Sequence, residues 1–210
     1  MKSHFYWITL SAVGLTAGVG AAVVLGSPVE KIVGMMIVTP ILTGIVGAVF
    51  GTAQWFPLHQ RARIPALAWI TATTLGLCAG LAAGVVLVEQ VGTFLTGSRP
   101  HLLQLGAWPR ALSLCTVGFV SGLALGFAQY LAFRRGHIAV ARWPLASAVA
   151  LGAAFAGASL LLDIVGNIRF ASPAGLLVFL LSAGALYGAM TSRALRPASP
   201  NDAAAGRTPA

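Results

Sequence analysis

The chain has 210 residues, 58% of them hydrophobic and only 8% charged, with a mean hydropathy of +0.88 and a formal net charge of +9. Soluble domains carry about 25% charged residues, so this composition excludes a water-soluble globular protein. The positive charge is scattered between apolar runs, which suits membrane orientation better than a nucleic-acid surface.

Six uncharged apolar runs follow one another: 5–26, 32–55, 64–88, 111–133, 143–162 and 173–192. Each is about the 20 residues that a spanning helix needs. The runs are continuously apolar and lack the period of two that a membrane barrel requires. The first follows Lys2 and ends in small residues, as a signal peptide does. A signal core is only about 7–15 residues long, so this longer run is read as a retained span. It opens WITLSAVGLTAG from Trp7 and places Gly14 and Gly18 one turn apart.

The second run carries Pro40 between Thr39 and Thr43, a position that predicts a kink. It closes GAVFGTAQW, with Gly47, Gly51 and Gln54 at spacings of four and three that share one helical face. Trp55 is read as an anchor at the lipid headgroups, and His59 follows at the helix end. The third run opens WITATTLGLCAG from Trp69 and carries the stripe Gly76, Gly80, Gly84.

Between the third and fourth runs lies EQVGTFLTGSRPHLLQLGAWPR, residues 89–110, a long connection for two helices. Its HLLQLGAW portion predicts a segment lying on the outer membrane surface, anchored by Trp108. This loop is the first place to look for recognition from outside. The fourth run closes GLALGFAQY, with Gly118, Gly122, Gly126 and Gln129 on one face and Tyr130 and Arg134 at the interface. The fifth opens WPLASAVALGAA from Trp143; the sixth closes GALYGAMTS, with Gly184, Gly188 and Thr191 on one face and Arg196 beyond it. The Ala- and Pro-rich tail, 197–210, has no apolar stripe and is expected to be disordered.

Odd runs thus open alike and even runs close alike, so the unit is a helical hairpin used three times, over about 5–58, 64–135 and 143–196. Trp7 to Gln54 is 47 positions and Trp143 to Thr191 is 48, whereas Trp69 to Gln129 is 60. The extra residues of the middle unit fall in its outer loop. Residues 1–196 form one transmembrane domain on this reading, an all-α six-helix bundle. Nine of the 13 Lys and Arg residues lie at the termini or in the connections after the second and fourth runs. The positive-inside rule then places both termini in the cytoplasm.

Apolar attraction does not join helices in lipid; small residues that let backbones approach, and polar side chains that bond across the gap, do so instead. Gly14, Gly18, Gly47, Gly51, Gly76, Gly80, Gly122, Gly126, Gly184 and Gly188 are therefore the expected helix-packing positions. Gln54, Gln129 and Thr191 are polar positions about one turn inside the cytoplasmic face, either structural ties or contacts for a solute. Trp7, Trp55, Trp69, Trp108, Tyr130, Trp143, Arg134 and Arg196 are the expected interfacial residues.

The pattern G-x-x-x-G-x-x-Q-W-x-x-L-R, followed by a basic or proline turn and W-x-x-A-[ST]-x-x-G, resembles that of a family of uncharacterised bacterial multi-pass membrane proteins. The resemblance covers most of 5–195, and it departs from the pattern at His59, Tyr130 and Trp143-Pro144. It implies a bacterial cytoplasmic membrane and brings no activity.

No ionisable residue lies inside any run, whereas ion- and proton-coupled transporters usually need one. His4, His59, His101 and His137 fall in separate segments without metal-ligand spacing, so no metal or cofactor is expected. Cys78 and Cys115 sit at different depths and are read as small buried hydrophobes. The leading functional expectation is a non-catalytic packing or accessory subunit, not an enzyme. It would associate through its small-residue faces with a membrane protein or a second copy, in contact with the lipid bilayer and not with nucleic acid. The alternative is a small permease or channel with its path between the three hairpins.

Overall fold

The computed structural model describes residues 2–33, 35–59, 64–97, 105–135, 141–165 and 172–194. Within them the chain is all helical, with six helices in the order α1 (Lys2–Val33), α2 (Met35–His59), α3 (Ala66–Thr96), α4 (Ala107–Arg135), α5 (Trp143–Val165) and α6 (Pro173–Ala194). All six are long and apolar enough to cross a membrane. The tail 197–210, the flanking Arg196 and the segment His101–Gln104 lie outside the described residues.

Two boundaries differ from the sequence expectation. Helix α1 continues through Glu30 and Lys31 to Val33, so the charged pair read as a connection is helical. Both described ends of the segment read as a loop over 89–110 are helical: α3 runs on through Thr96 and α4 begins at Ala107. A change in hydropathy marks where a helix meets headgroups, not where its backbone hydrogen bonding ends. At 31 residues α3 is about 46 Å long, well beyond a hydrocarbon core of about 30 Å. It stops at Gly97, which takes φ 72° and donates its N–H to the Thr93 carbonyl. That left-handed position favours glycine. Phe94 and Leu95, beside it, are exposed.

Each helix packs on its neighbours in sequence, and α6 packs back on α1, so the six helices form a closed ring. Among the described residues no other pair of helices brings its backbones close together; what they share is made by side chains. What holds neighbours together can be read from the glycines. A Cβ on Gly47 would lie 2.7 Å from the Thr74 Cα, and one on Gly126 2.7 Å from the Pro144 Cα. On Gly184 it would lie 2.6 Å from the Ala12 Cα, and on Gly188 2.8 Å from the Ile8 Cα. Gly51 meets Ile70 and Thr73, and Gly122 meets the Ser147 carbonyl oxygen and Ala148. These positions bring α2 onto α3, α4 onto α5 and α6 onto α1.

The odd helices contribute in the same manner. A Cβ on Gly14 would strike Ala53, and one on Gly18 would reach Val46, both on α2. Gly76, Gly80 and Gly84 abut Leu125, Ser121 and Val117 on α4. On α5, Ala150 and Ala154 are fully buried and share the core with Leu180 and Ala183 of α6. Helix backbones approach this closely only where no side chain separates them, and dispersion contacts between them then replace contacts with lipid.

Candidate functional site

One polar layer crosses the inside of the ring. On α1, Trp7, Ser11 and Leu15 are spaced by four residues and all face inward, at 2%, 0% and 7% exposure. On α3 the same spacing gives Trp69, Thr73 and Leu77, and on α5 Trp143, Ser147 and Leu151, all buried. The even helices present the layer in the opposite direction: Phe50, Gln54, Leu58 on α2; Leu125, Gln129, Phe133 on α4; Tyr187 and Thr191 on α6. A step of four residues is about 6 Å along the axis. The polar side chains therefore form one level between two apolar ones.

The apolar level nearer the chain's N-terminus is an aromatic plug of Trp7, Trp69, Trp143, Phe133, Leu58, Ile64 and Ala132. Trp69 and Trp143 each meet Phe133 edge-on, with ring centroids 5.1 Å apart. Trp7 and Trp143 meet at 6.3 Å, although α1 and α5 are not neighbours in the ring. Their contact is made across its centre. On the other side of the polar level, Phe50 and Tyr187 cross the centre at 5.8 Å, packed with Leu15, Leu77, Leu125 and Leu151.

The polar level is neutral and mostly bonded to itself. Gln129 donates from Nε2 to the Gln54 Oε1 and to the Thr73 Oγ1, both at 3.1 Å, and its Oε1 accepts the Trp143 indole N–H at 3.0 Å. Gln54 in turn donates to the Ser11 hydroxyl at 3.5 Å. Thr191 accepts the Trp7 indole N–H at 2.9 Å and donates to the Tyr187 carbonyl at 2.8 Å. The Gln54–Gln129 bond joins α2 to α4, which are not ring neighbours. Among the described residues Trp69 Nε1 is buried without a hydrogen-bond partner, and the buried Ser147 Oγ and Tyr187 Oη make no hydrogen bond of good geometry. The Tyr187 hydroxyl faces Ser147 and Gln54.

Of the residues expected at sites, the structure brings Gln54, Gln129 and Thr191 into this one layer, all at 0% exposure. The hydroxyl residues of the same layer, Ser11, Thr73 and Ser147, were not singled out from the sequence, although each follows a tryptophan by four residues. One expectation needs correction. Trp7, Trp69 and Trp143 are not interfacial anchors: their rings lie inside the bundle, two of them with their N–H engaged in the polar layer. A tryptophan near the end of a span suits either place, and here burial with an available acceptor decides.

The remaining aromatic positions differ from these three. Trp55 is half-buried and donates to the Ile64 carbonyl at 3.1 Å, joining the end of α2 to the residues just before α3. His59 stacks on it at 4.6 Å. Tyr130 is half-buried, Arg134 is exposed and Trp108 is 75% exposed.

Far from this layer, Arg110 at the start of α4 forms an ion pair with Asp163 near the end of α5. It also donates to the Ser159 hydroxyl at 3.3 Å and to the Leu105 carbonyl at 3.4 Å. Among the described residues no three His, Cys, Asp or Glu side chains converge.

No protein-family model matches the sequence, and neither curated proteins nor solved structures give a match.

Proposed function

We propose that the chain is a non-catalytic accessory subunit of a bacterial cytoplasmic membrane, built as three helical hairpins of one plan with both termini in the cytoplasm. The observation that carries this reading is the bonding of Gln54, Gln129 and Thr191 to the chain's own side chains, between an aromatic plug and an apolar core. A solute path needs polar groups turned toward a continuous opening. Here the polar side chains are turned toward one another.

The common plan is supported by matching contacts at matching offsets. Gly51 meets Thr73, Gly126 meets Ser147 and Gly188 meets Ser11, each hydroxyl residue lying four past a tryptophan. The orientation rests on the concentration of Lys and Arg at one side. Because the glycine faces are taken up inside the ring, a partner would meet the outward apolar side chains, such as Leu67 at 78% and Leu75 at 63% exposure.

Reconstitution into sealed vesicles tests the reading. Permeability to water, small neutral solutes and monovalent ions should equal that of empty vesicles. In native membranes, a photo-crosslinking side chain at Leu67 or Leu75 should give a discrete protein adduct. Saturable flux that disappears in a Gln54→Leu/Gln129→Leu double variant of normal abundance would replace the proposal with a small permease whose path lies between the hairpins.

A further inference from the structure

The three places where an even helix packs on the next odd one share a single register. Gly51 stands three residues before Gln54, Gly126 three before Gln129 and Gly188 three before Thr191. A Cβ on each would meet the Cα of the residue one past a tryptophan: Ile70 at 3.2 Å, Pro144 at 2.7 Å and Ile8 at 2.8 Å. It would also meet the Cβ of the hydroxyl residue four past the same tryptophan: Thr73 at 3.0 Å, Ser147 at 2.7 Å and Ser11 at 3.1 Å. Gly47, Gly122 and Gly184 likewise meet Thr74, Ala148 and Ala12, each five past the tryptophan. Trp69 therefore stands to Gln54 as Trp143 stands to Gln129 and Trp7 to Thr191.

Two of the three tryptophans use that placement. Trp143 donates its indole N–H to the Gln129 Oε1 at 3.0 Å, and Trp7 donates to the Thr191 hydroxyl at 2.9 Å. Trp69 is fully buried, and among the described residues its N–H has no partner. The oxygen in the corresponding place, Gln54 Oε1, accepts from Gln129 on α4 instead. The other end of that amide is held loosely, since its bond to Ser11 is 3.5 Å long, well beyond the usual N–H···O range. Gln129 keeps Thr73 and Trp143 whichever way Gln54 points.

We infer that Gln54 is a two-position element whose side-chain oxygen exchanges between the Gln129 amide and the Trp69 indole N–H. In the position seen in the structure it ties α2 to α4 across the ring. In the other it ties α2 to α3 along the wall, completes the third tryptophan bond and releases the tie across the centre. The two positions are close in free energy, because leaving a buried donor unpaired costs about as much as one interhelical bond contributes. The exchange turns one neutral side chain and brings in no ligand. It is independent of whether the chain serves as an accessory subunit or as a permease.

The test is NMR relaxation dispersion on the full chain in lipid nanodiscs, which reports microsecond-to-millisecond exchange. The Trp69 indole signal is identified by its loss in Trp69→Phe, and the Gln54 side-chain amide by its loss in Gln54→Leu. In the unmodified protein both signals should be exchange-broadened, with one common rate. In Gln54→Leu the Trp69 signal should sharpen and move upfield, to the position of an unbonded N–H. In Trp69→Phe the Gln54 amide should sharpen, fixed on Gln129. A sharp Trp69 signal in the unmodified protein would overturn the inference, whether the N–H is permanently free or permanently bonded to an oxygen that also keeps Gln129. So would broadening that persists in either variant. Unequal rates at the two groups would overturn it as well, and that measurement needs only the unmodified chain for its rates.

Discussion

The Trp143 indole N–H and the Gln129 side-chain oxygen lie 3.0 Å apart, both fully buried, and join the last turns of α4 to the first turn of α5. The same glutamine reaches α3 through Thr73 and α2 through Gln54. One amide thus ties four helices, and its removal should be felt at all of them.

Gln129→Leu should therefore be more damaging than Gln54→Leu. Gln129 makes three side-chain bonds, and its loss leaves Thr73, Trp143 and the Gln54 oxygen without it. Gln54 makes two. An interhelical bond in membranes contributes about 0.6–2 kcal/mol. Thermal unfolding in detergent should rank wild type above Gln54→Leu above Gln129→Leu. The reverse order would show that the layer is not held chiefly by Gln129.

Glycines that look alike in the sequence should respond differently. A Cβ on Gly122 would run into the Ser147 carbonyl and the Ala148 backbone, atoms that cannot swing aside. A Cβ on Gly20 would meet nothing within 4 Å. Gly122→Ala should force α4 and α5 apart and reduce folded yield several-fold. Gly20→Ala should leave yield unchanged or slightly raised, because alanine is the better helix former. Comparable yields for the two variants would contradict close packing as the reason for Gly122.

The sequence makes the six spans and the inward face of Gln54, Gln129 and Thr191 legible, because apolar length and the G-x-x-x-G-x-x-Q spacing are local signals. It does not reveal the true ends of α1 and α3, since helices extend past the apolar run where charged residues still form good helix. Nor does it separate a tryptophan that faces headgroups from one that faces the core. The hydroxyl four residues after Trp7, Trp69 and Trp143 is the clue that could have done so. The Arg110–Asp163 pair is hidden for another reason: its members are 53 residues apart and come together only through the packing of α4 on α5.

That pair should be a modest tether. Its side chains are 14% and 33% exposed, so water screens part of the attraction. Asp163→Asn should lower stability by about 1 kcal/mol or less, and the loss should shrink as salt is raised. A several-fold fall in folded yield, unaffected by salt, would mean that Arg110 acts mainly through its bonds to Ser159 and Leu105.

Sealing of the polar layer from both sides of the membrane is open to a direct test. Ser11→Cys places a thiol of nearly the same size in that layer. In a Cys78→Ala/Cys115→Ala background, this thiol is the single target for a small charged thiol reagent applied to either face of sealed vesicles. No labelling is expected from either side, with full labelling after denaturation. Labelling of the folded protein from one side would contradict it, because it would open the layer to water and to solutes.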